Sequence, residues 1–344
     1  MNVKKNAPGL LLAAAGVAVA YAVAAPFAVL SPMVVAILLG VVVGNAVRLP
    51  ASVEPGLAIA AKRVLRIGIV LLGLRLSLHD VADLGPGMIL TVIAVVFGGT
   101  LAGIAIGAAL GIDRPLRLLV ACGFSICGAA AVAALAGVLG GNEAPAEDGR
   151  PRRSGLQESV VTAVALVVIF GTLMIALVPA LGHLFGLSDM DTGMWAGASV
   201  HEVAQVVAIG GSVGGAALGA AVVIKLGRVL MLAPVMAIIS VVERRRIRDA
   251  HGEAGDVSLP PIIPLFVAGF LAMVLVRSTG LVPQGVIDVA GVAEQLLLGA
   301  AMFALGIGVQ FSLIRKVGAA PFIMAALTTV VVAVIGLGGV LIAG

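Results

Sequence analysis

Cys122-Gly123-Phe124-Ser125-Ile126-Cys127-Gly128-Ala129-Ala130 lies inside a long apolar run, and its reading decides the fold. Glycine lowers helix stability by about 1 kcal/mol relative to alanine. Two glycines flanking Ser125 and Cys127 therefore mark a place where a membrane helix can open. A second stretch carries the same pattern. Gly197-Ala198-Ser199-Val200 matches Gly123-Phe124-Ser125-Ile126, and Ala204, Val206 and Ala208 match Ala130, Val132 and Ala134 at the same spacing. For one such stretch alone, ordinary close helix packing through small residues is the favoured account. Two in register favour a duplicated, interrupted helix.

The surrounding composition supplies the solvent. Of 344 residues 61% are hydrophobic and 11% charged, against about 25% charged in soluble domains. Such a surface suits lipid. A membrane helix needs roughly 20 apolar residues, and candidate segments run near 9–30, 32–47, 64–84, 86–110, 117–140, 157–182, 194–213, 215–242, 260–279, 290–311 and 320–343. The expected fold is all-α and polytopic, one transmembrane domain over 1–344 with about nine to eleven segments. Met1 to Lys5 and the apolar run behind them show no clear cleavage site and read as part of the first helix. Cys122 and Cys127 share one apolar segment, lack the C-x-x-C spacing and predict no disulfide framework or thiol redox role. The net charge of +4 is not a nucleic-acid signal, because the basic residues fall between apolar runs.

Those basic residues report orientation. With simple alternation, Lys4, Lys5, Arg48, Lys62, Arg63, Arg66, Arg114, Arg117, Arg244, Arg245, Arg246, Arg248, Arg315 and Lys316 share one side, but Arg150, Arg152 and Arg153 fall on the other. Making 117–140 and 194–213 re-entrant, or broken near mid-membrane, removes the conflict. All of the 21 Lys and Arg except Arg75, Lys225, Arg228 and Arg277 then become cytoplasmic. Further matches support a repeat: Gly73-Leu74-Arg75-Leu76-Ser77-Leu78 with Gly308-Val309-Gln310-Phe311-Ser312-Leu313, and Gly171 before Pro179 with Gly227 before Pro234. The halves run about 64–182 and 194–343, in opposite orientation, with helices 9–47 outside the repeat. This places the N-terminus in the cytoplasm and the C-terminus outside. Two fully crossing, discontinuous helices are the other layout open to the sequence.

Polar residues concentrate in the interrupted segments. A charged side chain at mid-bilayer costs on the order of 3 kcal/mol, so Glu202 needs a partner, a proton or a wet cavity. Helical spacing puts His201 and Gln205 on one face. A wet helix end near the surface is the plainer alternative. His201-Glu202-Val203-Ala204-Gln205 falls one residue short of the zinc motif H-E-x-x-H, with no companion ligands in view, so no metal site or metalloprotease is expected. Lys225 lies some ten residues from either end of its segment, about 15 Å deep. It is too deep to snorkel, and it shares a face with Arg228. It either pairs with a carboxylate such as Glu202 or holds an anion. Arg75 sits likewise inside 64–84, opposite neutral Gln310 in the repeat. Ser77 and Ser312 either donate to an oxyanion or bond their own backbone. Glu294 reads as a residue at a helix start, where a carboxylate suits the dipole.

Taken together, Gly123-Phe124-Ser125-Ile126-Cys127-Gly128, Trp195-Ala196-Gly197-Ala198-Ser199-Val200-His201-Glu202-Val203-Ala204-Gln205-Val206-Val207 and Lys225-Leu226-Gly227-Arg228-Val229 with Ala233-Pro234 resemble the YeiH-like bacterial membrane proteins, a family assigned to sulfate export. The resemblance runs from the second helix to the last. It implies a bacterial inner-membrane carrier, distantly similar to the cation/proton antiporter and bile-acid symporter superfamily, with inverted repeats and broken helices. It carries over Ser125, Cys127, Ser199, His201, Glu202, Gln205, Lys225 and Arg228 as motif residues.

The expected activity is alternating-access transport of a small anion, sulfate or a related sulfonate or carboxylate, with no enzymatic step and no cofactor. Gly123, Ser125, Cys127, Gly128, Gly197 and Ser199 are expected at the substrate, with positive charge from Lys225, Arg228 and Arg75. His201, Glu202 and Gln205 are expected to bind a coupling proton, Na⁺ being less favoured. Ser77, Gln310 and Ser312 are additional candidates. Lipid is the surrounding partner, and a homo-oligomer is left open. The first rival is a cation/proton antiporter on the same scaffold with Glu202 as carrier; a channel and an intramembrane enzyme follow.

Overall fold

The computed structural model describes residues 3–26, 32–139, 155–251, 264–308 and 318–343, and these are helical almost throughout, with no strand among them. In chain order the helices are α1 (Val3–Ala24), α2 (Pro32–Ala46), α3 (Glu54–Ile59), α4 (Leu65–Leu72), α5 (Leu78–Ala82), α6 (Gly85–Ala109), α7 (Arg114–Ser125) and α8 (Ala129–Leu139). There follow α9 (Gly155–Leu184), α10 (Asp189–Ser199), α11 (Val203–Val213), α12 (Gly215–Leu230), α13 (Leu232–His251), α14 (Leu265–Ser278), α15 (Gln284–Gly308) and α16 (Ala320–Ala343). A π-turn, Ala60–Val64, joins α3 to α4 into one rod. Among the described residues, six stretches are long and apolar enough to cross a membrane: Lys5–Ala24, Gly85–Ala109, Glu158–Leu184, Gly215–Asp249, Gln284–Gly308 and Ala320–Ala343. This is a polytopic all-α membrane protein.

Its frame is the antiparallel pair α6 and α16. Gly87 lies against Ala343, Gly99 against Val332, Gly103 against Thr328 and Gly107 against Met324, so small residues bring the two backbones together along their whole length. Onto this pair fold two short helical hairpins. In the first, α7 runs back along α6, with Gly107 on Arg117, Gly103 on Ala121 and Gly99 on Ser125. The chain then turns, Gly123 meets Val132, and α8 returns until Gly137 reaches the Arg66 guanidinium. Arg114, at the start of α7, pairs with Glu243 beside the arginines of α13. Both ends of this hairpin thus lie at the basic end of the bundle.

The second hairpin enters from the opposite end. Gly193 and Gly197 of α10 lie on Ala217 and Ala221, so α10 and α12 run parallel. Gly210 of α11 lies on Leu218, and the chain reverses at Gly214 into α12. α10 also leans on α16, where Trp195 Nε1 donates to Ala333 O at 2.9 Å. The structure therefore realises the re-entrant layout and not two crossing, discontinuous helices. Helices α1 to α4, α14 and α15 form a second layer, while α9 packs on the hairpins themselves, with Gly171 against Gln205 of α11. α2 runs parallel to α15 through Gly40 on Phe303 and Gly44 on Ile307, and α4 runs antiparallel to α15 through Gly68 on Leu298.

Several expected boundaries move. The segment 64–84 breaks at Gly73–Arg75, because Ser77 caps the short helix α5 in a capping box with Asp80. The segment 290–311 begins earlier, at Gln284, so Glu294 is a mid-helix residue and not a helix start. Its carboxylate is held by Arg75 Nε at 3.1 Å, not by a helix dipole.

Candidate functional site at the hairpin crossing

The tips of the two hairpins meet between the layers. α7 stops at Ser125; Ile126 leaves helical geometry (φ −111°, ψ −89°), and Gly128 takes φ +74°, a left-handed value that favours glycine. A side chain on Gly128 would also strike the Glu202 carboxyl group. α10 stops at Ser199, and Val200 and Glu202 are extended on either side of a bend at His201 before α11 begins. His201 and Gln205 thus stand on opposite sides of the break, and the expectation of one shared helical face fails.

Two helices ending in a dry interior leave carbonyl groups with no intrahelical donor. Here two cations from α12 satisfy them. Lys225 Nζ donates to Ile126 O at 2.7 Å, Val200 O at 2.8 Å and His201 O at 2.7 Å. Arg228 Nε donates to Ser125 O at 3.1 Å, Nη1 to Ala198 O at 2.9 Å and Val200 O at 2.8 Å, with a longer contact to Gly197 O, and Nη2 to Phe124 O at 3.0 Å. Both side chains are completely buried. Positive charge at helix C-termini is favourable, and the one-turn spacing of 225 and 228 lets one helix serve both tips.

The opposite ends of the breaks carry the opposite charge. Glu202 is the N-cap of α11, where its side chain and that of Gln205 form a reciprocal capping box; Glu202 N donates to Gln205 Oε1 at 3.1 Å. Its Oε1 also accepts from Ala129 N, the first residue of α8, at 3.0 Å. One carboxylate therefore caps both returning helices. Among the described residues no ion pair within 4.0 Å joins Glu202 to Lys225, so the expected direct pairing is not made. His201 Nδ1 lies 3.1 Å from Phe124 O and Nε2 lies 3.0 Å from Thr329 Oγ1. A carbonyl only accepts, so Nδ1 carries a proton.

Gly123, Ser125, Cys127, Gly128, Gly197, Ser199, His201, Glu202, Gln205, Lys225 and Arg228 thus converge. Their roles differ from one another. Ser199 Oγ donates to Trp195 O at 2.6 Å within its own helix, whereas Ser125 Oγ is buried with no partner. Gly197 has no room for a side chain against Ala221 O. Cys127, Ala130, Glu202 and Val203 face a cavity of about 30 Å³ between the layers, closed by Ile69, Leu72, Leu298 and Met302.

Arg75 and Ser77 do not join the cluster. Arg75 belongs to the Glu294 pair, where α4 meets α15, and Ser77 is spent as a helix cap. Gln310, Ser312 and the loop with Arg150, Arg152 and Arg153 lie outside the described residues. Sequence reasoning missed Thr329 as the partner of His201; its signal is the Thr328-Thr329 pair in an otherwise apolar helix. It also missed that Arg75 and Glu294 belong together, since helix packing and not spacing unites them.

Two opposed hairpins whose tips cross at buried cations define a class of integral membrane proteins with helices interrupted inside the bundle. Within that class the chain belongs to the family described as Conserved hypothetical protein 698, whose model matches residues 8–325. Relatives span nearly the same length. A UPF0324 membrane protein of Corynebacterium glutamicum is 48% identical over 339 residues, 98% of this chain and 93% of its own. A UPF0324 membrane protein of Pseudomonas aeruginosa is 37% identical over 95% of this chain and 91% of its own. A UPF0324 membrane protein of Paracoccus pantotrophus named TauZ is 36% identical over 91% and 88%. The family resemblance drawn from the central motifs stands.

Proposed function

We propose that this protein is a secondary transporter that moves a small anion, sulfate or a related sulfonate or carboxylate, across the cytoplasmic membrane by alternating access. The carrying observation is a charge imbalance at the crossing. Lys225 and Arg228 are fully buried, and among the described residues Glu202 is the one carboxylate at the tips. Two cations against one carboxylate leave an excess positive charge in a low-dielectric interior, where it favours an incoming anion. The N-termini of α8 and α11 are both capped by Glu202, so their donors become a second source of anion attraction once that carboxylate is neutralised. A cation/proton antiporter would have to load its cargo beside that excess positive charge, which weighs against the rival reading.

Glu202 supplies the coupling. While ionised, it occupies the donors of both returning helices. A proton on it weakens its hold on Ala129 N and Gln205 N and raises the excess charge. Anion and proton therefore bind together. The cavity beside Glu202 holds about 30 Å³, space for water but not for a polyatomic anion. Loading requires the hairpin layer to shift against the layer of α1 to α4, α14 and α15. The basic end of the bundle is assigned to the cytoplasm, which puts the N-terminus inside and the C-terminus outside.

Vesicles reconstituted with the purified protein provide the test. Labelled sulfate, small sulfonates and small carboxylates are offered with and without a pH gradient. Uptake of at least one, accelerated when the proton gradient runs in the same direction, is the expected result. If no anion moves while an alkali cation dissipates an imposed pH gradient, the antiporter reading replaces this one.

A further inference from the structure

The surroundings of Lys225 Nζ are those of a bound cation. Three backbone carbonyls, Ile126 O, Val200 O and His201 O, lie at 2.7, 2.8 and 2.7 Å. They come from both hairpin tips, so the ligand set exists only where the hairpins cross. Carbonyl oxygens in a dry pocket are the donors that hold hard cations such as Na⁺ and K⁺ in membrane proteins. All three ammonium protons are engaged, and the side chain is completely buried. Arg228 differs. Its planar fork spreads over carbonyls that do not converge on one point, so no spherical ion can take its place.

We propose that the Lys225 ammonium fills a monovalent-cation site built by the two hairpin tips, and that shortening this side chain turns the site into one for a free K⁺, Na⁺ or methylammonium ion. The stem from α12 ties the cation to the protein, so the site is filled at any salt concentration. A free ion in the same place would bind and leave as its concentration changed, and the crossing would depend on it. The tether explains how the tips stay together without an ion gradient, and it leaves the intact protein no need of Na⁺ at this place. The cage follows from geometry alone, so it stands or falls separately from the anion reading.

The test is thermal unfolding of the detergent-purified full chain in the chlorides of K⁺, Na⁺, methylammonium and choline at equal ionic strength. Choline is too large for the cage and serves as the empty state. The unaltered protein should unfold at the same temperature in all four. Lys225→Ala should be least stable in choline and should gain stability, saturably with concentration, from at least one of the three small cations. Lys225→Gln refills the cage with a neutral amide and should show no such gain. The proposal is overturned if Lys225→Ala responds no more than the unaltered protein. A Lys225→Gln response equal to that of Lys225→Ala would also overturn it, because the effect then arises elsewhere. So would a Lys225→Ala chain that cannot be purified in any of the four salts, since a free ion could not then stand in for the ammonium.

Discussion

In two of the places where the molecule buries charge, it does so by different means. Where α4 meets α15, Arg75 faces Glu294, charge against charge, and Arg75 keeps 34% of its side chain exposed. At the hairpin crossing, two completely buried cations face backbone carbonyls, and the Glu202 carboxylate caps the opposite helix ends. The difference teaches what each charge is for. An ion pair can be exchanged for well-packed apolar residues at little loss, because the two charges answer only each other. The carbonyls of Phe124, Ser125, Ile126, Gly197, Ala198, Val200 and His201 cannot be exchanged for anything. They exist because two helices stop in the membrane, and only donors can satisfy them.

Arg228→Met breaks this comparison most severely. It strands the carbonyls of Phe124, Ser125 and Ala198 together, and the expected loss is about 3–5 kcal/mol, the scale of removing one member of a buried charged network. Unfolding in mixed detergent micelles measures it, and a loss no larger than that of a surface substitution would refute the account of the crossing. Gly128→Ala comes next. It forces a Cβ into left-handed backbone and against Glu202, with an expected cost of about 1–3 kcal/mol. Transport should fall with it, since the hold of Glu202 on Ala129 is displaced; unfolding and vesicle uptake on one preparation check both.

The sequence makes the crossing legible and hides the outer pair, for physical reasons. A helix that must open in lipid advertises itself through glycine, serine and charge within an apolar run, so the interrupted segments and the burial of Lys225 and Arg228 can be read from 122–130 and 195–228. What fills the carbonyls cannot. Lys225 as an anion ligand and Lys225 as the partner of three backbone oxygens leave the same trace in the sequence. Helical spacing across a break also misleads, as with His201 and Gln205, because the 3.6-residue period holds only within a helix. Arg75 and Glu294 lie 219 positions apart by their numbers in segments with no shared motif. Their union depends on α4 and α15 packing antiparallel through Gly68 and Gly291.

Glu202→Gln separates the structural half of the site from the functional half. The amide oxygen still accepts from Ala129 N, so the caps survive and the stability loss should be about 1 kcal/mol, the difference between a charged and a neutral acceptor. The proposed proton site is gone. Anion uptake should lose its acceleration by a pH gradient, and a variant whose uptake still follows the gradient would remove Glu202 from the coupling.

The smallest effect is expected at the outer pair, and only when both charges go together. Arg75→Met alone leaves Glu294 buried without its counter-charge, and Glu294→Leu alone leaves Arg75 against an apolar wall. Replacing both by Met and Leu removes the mismatch, keeps the volume between α4 and α15, and should change stability by no more than about 1 kcal/mol. No helix end depends on either residue, so transport should persist. A double-mutant cycle read by unfolding gives the coupling between the two. A double variant that unfolds as readily as Arg228→Met would mean that the outer pair also answers an unmet backbone demand, and the contrast between the two charged regions would dissolve.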